Sequence, residues 1–152
     1  MIKFNLLKLI VDFGNSRVKL ALFSKKDLVA TKTIKLFSRK EVIGFCGDNT
    51  ISSSIYSSVR KLNDEEKKLV SSLNCLEINK NTPLPISSIY ESNAGSDRIA
   101  AVVGATFLFP NKDIWVFDAG TCLTADFIDK EKKHHGGRIT LGLKMRYKAL
   151  ND

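Results

Sequence analysis

Apolar positions along the chain follow two rhythms, one of strands and one of helices. Leu6 to Val11 is a short, largely apolar run, which predicts a buried strand. Asp12-Phe13-Gly14-Asn15-Ser16 then reads as a turn. Arg17 to Phe23, opening on alternating basic and apolar residues, predicts a second strand, and Leu28 to Leu36 a third. Short turns join them, as in an antiparallel meander. Ser38 is placed to cap a helix through Glu41, Val42 and Phe45. Thr50 to Ser58 is rich in Ser and β-branched residues and predicts a strand and loop. Asp64 to Leu73 carries Leu69, Val70 and Leu73 at helical spacing, with acids at its start that suit the helix dipole. Pro83 and Pro85 mark an extended loop. Ser96 to Phe109 is the strongest helix pattern. Ile99, Val102, Val103 and Thr106 form its stripe, and Pro110-Asn111 ends it. Asp113 to Phe117 predicts a strand running into Asp118-Ala119-Gly120-Thr121, with a second β run to Ile128. A charged turn follows at Lys130 to Lys133, then His134-His135-Gly136-Gly137, and Leu143 to Leu150 opens a helix.

Composition adds exclusions. In 152 residues, 43% are apolar and 26% charged, a globular balance rather than a disordered one. Runs such as Ile99 to Phe109 are too short to span a bilayer. The first residues lack a signal-peptide cleavage pattern, so a cytoplasmic protein is the expectation. Cys46, Cys75 and Cys122 are odd in number and form no C-x-x-C pair, so reduced buried thiols are expected rather than disulfides or zinc. The net charge of +8 comes from scattered lysine pairs without an aromatic-interleaved stripe. That argues against a nucleic-acid-binding module and is compatible with a phosphate-rich small ligand.

The internal repeat carries more. LKLIVDFGNSRVKLALF and DIWVFDAGTCLTADFI share one plan: apolar strand, Asp-x-Gly-[Asn/Thr], second strand. Asp12 and Asp118 lie about a domain's length apart. A carboxylate at a strand end holds a metal ion, or water around one, beside phosphates. The glycine lets phosphate oxygens approach the backbone. Arg17 and Lys19, two apart on a strand, share a face and meet phosphate charge. One such motif alone is most simply a hairpin turn; two copies, each after a buried strand, favour phosphate handling. This plan resembles the superfamily of acetate and sugar kinases, chaperone ATPases and actin. The resemblance implies two ribonuclease-H-like domains facing each other across an ATP cleft.

Three further stretches narrow it. Ala94-Gly95-Ser96-Asp97-Arg98 resembles the G-x-D-R motif of type III pantothenate kinases. Asp118 to Asp126 is similar to the family's D-x-G-T-A-x-T-x-D, and Gly136 to Gly142 to its G-G-x-I-x-P-G. The resemblance implies an α/β chain. A ribonuclease-H-like domain with a mixed five-stranded sheet over 1–111 would precede the first hairpin of a second, incomplete one over 112–152. It implies transfer of the γ-phosphoryl group of ATP to pantothenate, the first step of coenzyme A synthesis. Asp97 would be the proton acceptor, and Gly95, Ser96, Asp97, Arg98 and Tyr90 would contact pantothenate. Asp12, Phe13, Gly14, Asn15, Ser16, Arg17, Val18 and Lys19 would form the ATP phosphate loop, and Thr121 would touch ATP. Asp118 would bind a monovalent cation, K+ or NH4+, with Mg2+ accompanying the nucleotide. A homodimer is implied, without nucleic acid or membrane partners. A non-catalytic regulatory relative of the same fold is the rival reading, and the presence of Asp12, Asp97 and Asp118 favours the enzyme.

The chain also departs from the family pattern. Leu141 stands where proline is usual, and Ser16 where threonine often follows the asparagine. His134-His135 reads as a loop pair rather than a metal site, and Trp115 and Phe117 as core. Family members continue for about another domain, so weak or absent kinase activity is expected of these 152 residues alone.

Overall fold

Side-chain alternation builds the first sheet. In β1 (Leu6–Phe13) the residues Leu7, Leu9, Val11 and Phe13 are buried, and in β2 (Val18–Ser24) so are Val18, Leu20 and Leu22. The two strands pair antiparallel with Leu9 opposite Leu22, Val11 opposite Leu20 and Phe13 opposite Val18, so all seven share one face. β3 (Asp27–Ile34) continues the meander beside β2. β4 (Thr50–Ser58) runs parallel to β1, and β5 (Leu76–Glu77) parallel to β4. The result is the mixed five-stranded sheet expected, in the order β3-β2-β1-β4-β5.

Two helices cover the apolar face. α1 (Arg39–Cys46) starts at Ser38, whose hydroxyl accepts the Glu41 amide, and contributes Val42 and Cys46 to the core. α2 (Asp64–Ser72) opens on a capping box between Asn63 and Glu66 and contributes Val70. The Phe13 ring lies edge-on to Phe37 at 4.9 Å and to Tyr56 at 5.8 Å.

A computed structural model describes residues 6–79, 81–88 and 94–151. They divide into two compact units between Asn79 and Lys80. The second unit holds β6 (Ser87–Ser88), α3 (Ser96–Leu108), β7 (Ile114–Ala119), β8 (Cys122–Ile128), β9 (Lys133–Leu141) and α4 (Leu143–Asn151). Its sheet has the order β6-β9-β8-β7, with β7, β8 and β9 forming a second antiparallel meander. Helix α3 packs on β7 and β8 of this unit, whereas the sequence-derived boundary at residue 111 groups it with the first.

The two meanders correspond position by position. Asp12 lies opposite Lys19, and Asp118 opposite Thr124. Counted from the aspartates, Trp115 and Phe117 occupy the places of Leu9 and Val11, and Leu123, Ala125 and Phe127 those of Val18, Leu20 and Leu22. In the first unit this face lies under α1 and α2. In the second it is open among the described residues. Trp115 is 59% and Phe117 67% exposed, so the expectation that they are core is corrected. They stack on each other at 6.2 Å, and Trp115 meets Phe127 at 5.2 Å. The reason is which face the helix takes: α3 lies on the other side, where Ile128 and Asp126 are buried. His134 and His135 are also corrected from loop to strand β9.

All three cysteines are free, and burial pushes the Cys46 and Cys75 thiols up, which keeps them unreactive at neutral pH. Among the described residues no helix is long and apolar enough to cross a membrane.

The face assignment has a direct test. Leu9→Ala is expected to cost about 2–5 kcal/mol, while Lys8→Ala, on the opposite face, changes stability by less than about 0.5 kcal/mol. Urea unfolding followed by circular dichroism measures both, and equal losses would contradict the face assignment.

Candidate active site

In the first unit the Asp-Phe-Gly-Asn turn hangs from the paired ends of β1 and β2. The Gly14 amide donates to the Arg17 carbonyl at 3.0 Å and closes the turn, leaving Asn15, Ser16 and Arg17 exposed. Phe13 and Val18 bracket it, but their side chains belong to the core. Asp12 points to the opposite face, where the Ser57 hydroxyl donates to its carboxylate at 3.0 Å and Lys19 Nζ lies 3.6 Å away. Lys19 is well exposed, so this pair contributes little to stability, and its ammonium is accessible to an anion. A cleft of about 270 Å3 runs along the turn, bordered by Lys35, Arg60 and Glu66. Arg60 braces that border. It holds Glu66 through two hydrogen bonds of 2.8 and 2.7 Å and lies over the Phe13 ring at 5.4 Å. The hydrogen bonds from Arg60 hold the Glu66 carboxyl below the usual carboxylate range against the opposing effect of burial. A cavity of about 790 Å3 beside β1, β4 and the end of α2 collects none of the expected site residues.

The second unit repeats the turn and adds to it. Asp118 is exposed at the end of β7, and Thr121 lies in the turn to β8. The Thr121 carbonyl accepts the Gly142 amide at 2.9 Å. A side chain at Gly142 would collide with the Gly120 and Thr121 carbonyls, so the closing glycine of the third motif lets the chain lie against the Asp-x-Gly-Thr turn. The register places Asp118, Thr124 and Asp126 on one sheet face, and α3 reaches that same face through Arg98.

Asp97 sits in the first turn of α3. The helix is capped by Gly95, which supplies no side-chain hydrogen bond, and the Asp97 carboxylate accepts the Arg98 amide at 2.8 Å. Arg98 Nε and Nη2 donate to Asp126 at 2.8 and 2.6 Å in a bidentate pair, and His134 Nε2 lies 2.8 Å from the same carboxylate. Asp126 and His134 are 2% and 1% exposed in their side chains, and Arg98 10%. Burial alone would raise the Asp126 carboxyl, but the hydrogen bonds and charges of Arg98 and His134 overcome it and hold it below the ordinary range. On the strand's other side, His135 pairs with the partly exposed Asp129 at 2.6 Å.

The structure therefore gathers Gly95, Ser96, Asp97, Arg98, Asp118 and Thr121 in one unit, and Asp12 to Lys19 in the other. Tyr90 lies outside the described residues. Asp126, His134 and Ser57 went unrecognised as partners of site residues. Asp126 was visible as the last residue of a motif, but nothing in the sequence near His134 signals a buried ion pair. Among the described residues no three His, Cys, Asp or Glu side chains converge on a metal position.

Two paired Asp-bearing meanders, the first with a parallel strand added beside it, define an actin-like ATPase fold. The ethanolamine utilization protein EutJ from Carboxydothermus hydrogenoformans supports this. It superposes with a TM-score of 0.51 at 14% identity, over 93% of this chain and 57% of that one. Within that fold the chain belongs to the type III pantothenate kinase family, whose model matches residues 8–152. Type III pantothenate kinases of Phocaeicola vulgatus, Cytophaga hutchinsonii and Bacteroides fragilis are similar to it. They are 40%, 39% and 38% identical over 95%, 95% and 96% of the chain. The chain spans 62%, 61% and 62% of the length of these relatives.

The buried pair predicts a pH signature. Because its folded value lies below its unfolded one, ionised Asp126 contributes stability that is complete above the unfolded value of about 4. That contribution is lost as the pH falls through the folded value. Asp126→Ala strands the Arg98 charge and is expected to cost about 3–5 kcal/mol at pH 7. The gap between wild type and variant should narrow as pH drops below about 4, measured by urea unfolding across pH. A gap independent of pH would contradict the ion pair.

Proposed function

We propose that the chain carries the catalytic residues of an ATP-dependent pantothenate kinase. The enzyme would move the γ-phosphoryl group of ATP to the pantothenate hydroxyl, giving 4'-phosphopantothenate, the first step of coenzyme A biosynthesis. The observation that carries the reading is Asp97 in the half-buried first turn of α3, beside an Arg98 anchored on the sheet face that bears Asp118, in a chain that matches this family.

Phosphoryl transfer asks a protein for positioning and charge neutralisation more than for covalent chemistry. Asp97 would accept the proton of the attacking hydroxyl from its place in the first turn of α3. Gly95 to Arg98 would contact pantothenate, with Tyr90 as a further ligand. The turn from Asp12 to Lys19 would hold the ATP phosphates. Asn15 would offer its side-chain amide, and Arg17 and Lys19 positive charge. Thr121 would touch ATP, and Asp118 would hold K+ or NH4+. Mg2+ bound with the nucleotide supplies charge neutralisation at the phosphates. The enzyme would act as a cytoplasmic homodimer.

Single-turnover transfer of labelled phosphate, with and without potassium, tests this at rates too slow for steady-state assays. Asp97→Asn is expected to lower pantothenate phosphorylation by about 10²–10⁴-fold while ATP binding persists. Unchanged transfer in that variant would remove Asp97 from the role.

A further inference from the structure

The second unit contains a buried polar cluster that the reaction chemistry does not itself require. Arg98 comes from the first turn of α3, Asp126 from the middle of β8 and His134 from the start of β9. Three elements thus meet at one carboxylate. Its two oxygens divide the work. Oδ2 accepts Arg98 Nε at 2.8 Å, and Oδ1 accepts both Arg98 Nη2 at 2.6 Å and His134 Nε2 at 2.8 Å.

The proton positions follow from the acceptor. An ionised carboxylate can only accept, so His134 must carry its proton on Nε2. The other ring nitrogen, Nδ1, is buried with no hydrogen-bond partner. The polar contribution of His134 is therefore confined to one donor aimed at Asp126. A side chain at Gly137, directly opposite Asp126, would collide with the Ala125 carbonyl, so the glycine lets β9 lie close to β8 beside the cluster.

Arg98 is the residue next to Asp97, and the first backbone bond of the helix, Ile99 amide to Gly95 carbonyl at 3.1 Å, spans both. The Gly95 cap adds no side-chain bond. The Gly95 cap thus leaves the helix start without the side-chain cap that usually steadies it, and the Arg98 clamp ties that turn to β8.

We propose that Asp126 and His134 are positioning residues: they clamp Arg98 and thereby set where the first turn of α3 presents Asp97 and Arg98 to the substrate. This rests on the kinase reading for the identity of the substrate, but the clamp is a statement about α3 that needs no substrate to test. His134 works only through Nε2, and glutamine, which places an amide N–H at about the same reach, replaces it. Phenylalanine fills the space and supplies no donor.

The experiment has two arms on the 152-residue chain. The first is hydrogen exchange by NMR without ligand. Asp126→Asn and His134→Phe are expected to speed exchange of the Ile99 amide about tenfold or more relative to the Thr106 amide, and His134→Gln to leave it near wild type. The second arm is single-turnover phosphorylation of pantothenate. His134→Phe is expected to lower the maximal rate by about 10²-fold and to raise the half-saturating pantothenate concentration while leaving that for ATP unchanged. His134→Gln restores both values. Unchanged Ile99 exchange in both Asp126→Asn and His134→Phe would overturn the clamp, as would a His134→Gln variant as impaired as His134→Phe. Should Asp126→Asn fail to fold, His134→Phe against His134→Gln decides alone. If the 152-residue wild type transfers no phosphate to pantothenate, in line with the weak or absent activity expected of it alone, the exchange arm by itself decides the clamp.

Discussion

Successive side chains on a strand point to opposite faces, and both units depend on that two-residue period. In β1 it sends Leu7, Leu9, Val11 and Phe13 into one core and turns Asp12 to the other face. In β7 it separates Trp115 and Phe117 from Asp118 in the same way. In β1 the carboxylate at the strand end is thus held by a buried ladder without itself being buried. The antiparallel partner strand then supplies the neighbour at the matching register, Lys19 for Asp12 and Thr124 for Asp118. A shift of one residue in the β1–β2 hairpin would bury Asp12 and expose the core, so there the apolar pattern and the position of the charge specify each other.

Identical periodicity leads to different surroundings, because helices choose which face to cover. In the first unit α1 and α2 cover the apolar face, and the Asp12 side keeps a serine and a lysine. In the second unit α3 covers the Asp118 side. That choice buries Asp126, and a buried carboxylate is tolerated only when it is paired and hydrogen-bonded. Arg98 and His134 meet that demand, and in doing so tie the α3 start to the sheet. A charge requirement thereby becomes a positional one, imposed on the two residues beside the reaction coordinate of the proposed chemistry.

Much of this was legible in the chain. The strands, the long helix with its Pro110-Asn111 stop and the two Asp-x-Gly turns follow from period and turn chemistry, which are local. The family motifs around Asp97, Asp118 and Gly142 are short ordered strings, and the structure gives Gly142 its reason, contact with the Gly120-Thr121 backbone. The failures were not local. Trp115 and Phe117 have a core pattern, yet no rule about β7 alone says whether a helix will lie over them. His134 and His135 alternate across β9, but only the neighbouring strand and α3 bring Asp126 and Arg98 to one of them.

What the sequence determined by itself is therefore the set of elements, the faces of each strand and the placement of acidic turns at strand ends, since these depend on interactions a few residues long. What the tertiary structure alone decided is which face each helix covers, and hence that Arg98, Asp126 and His134 form one buried cluster from three separate elements. Burial depends on the sum of contacts from distant segments, and electrostatic demand follows burial. Neither quantity exists until the chain has packed.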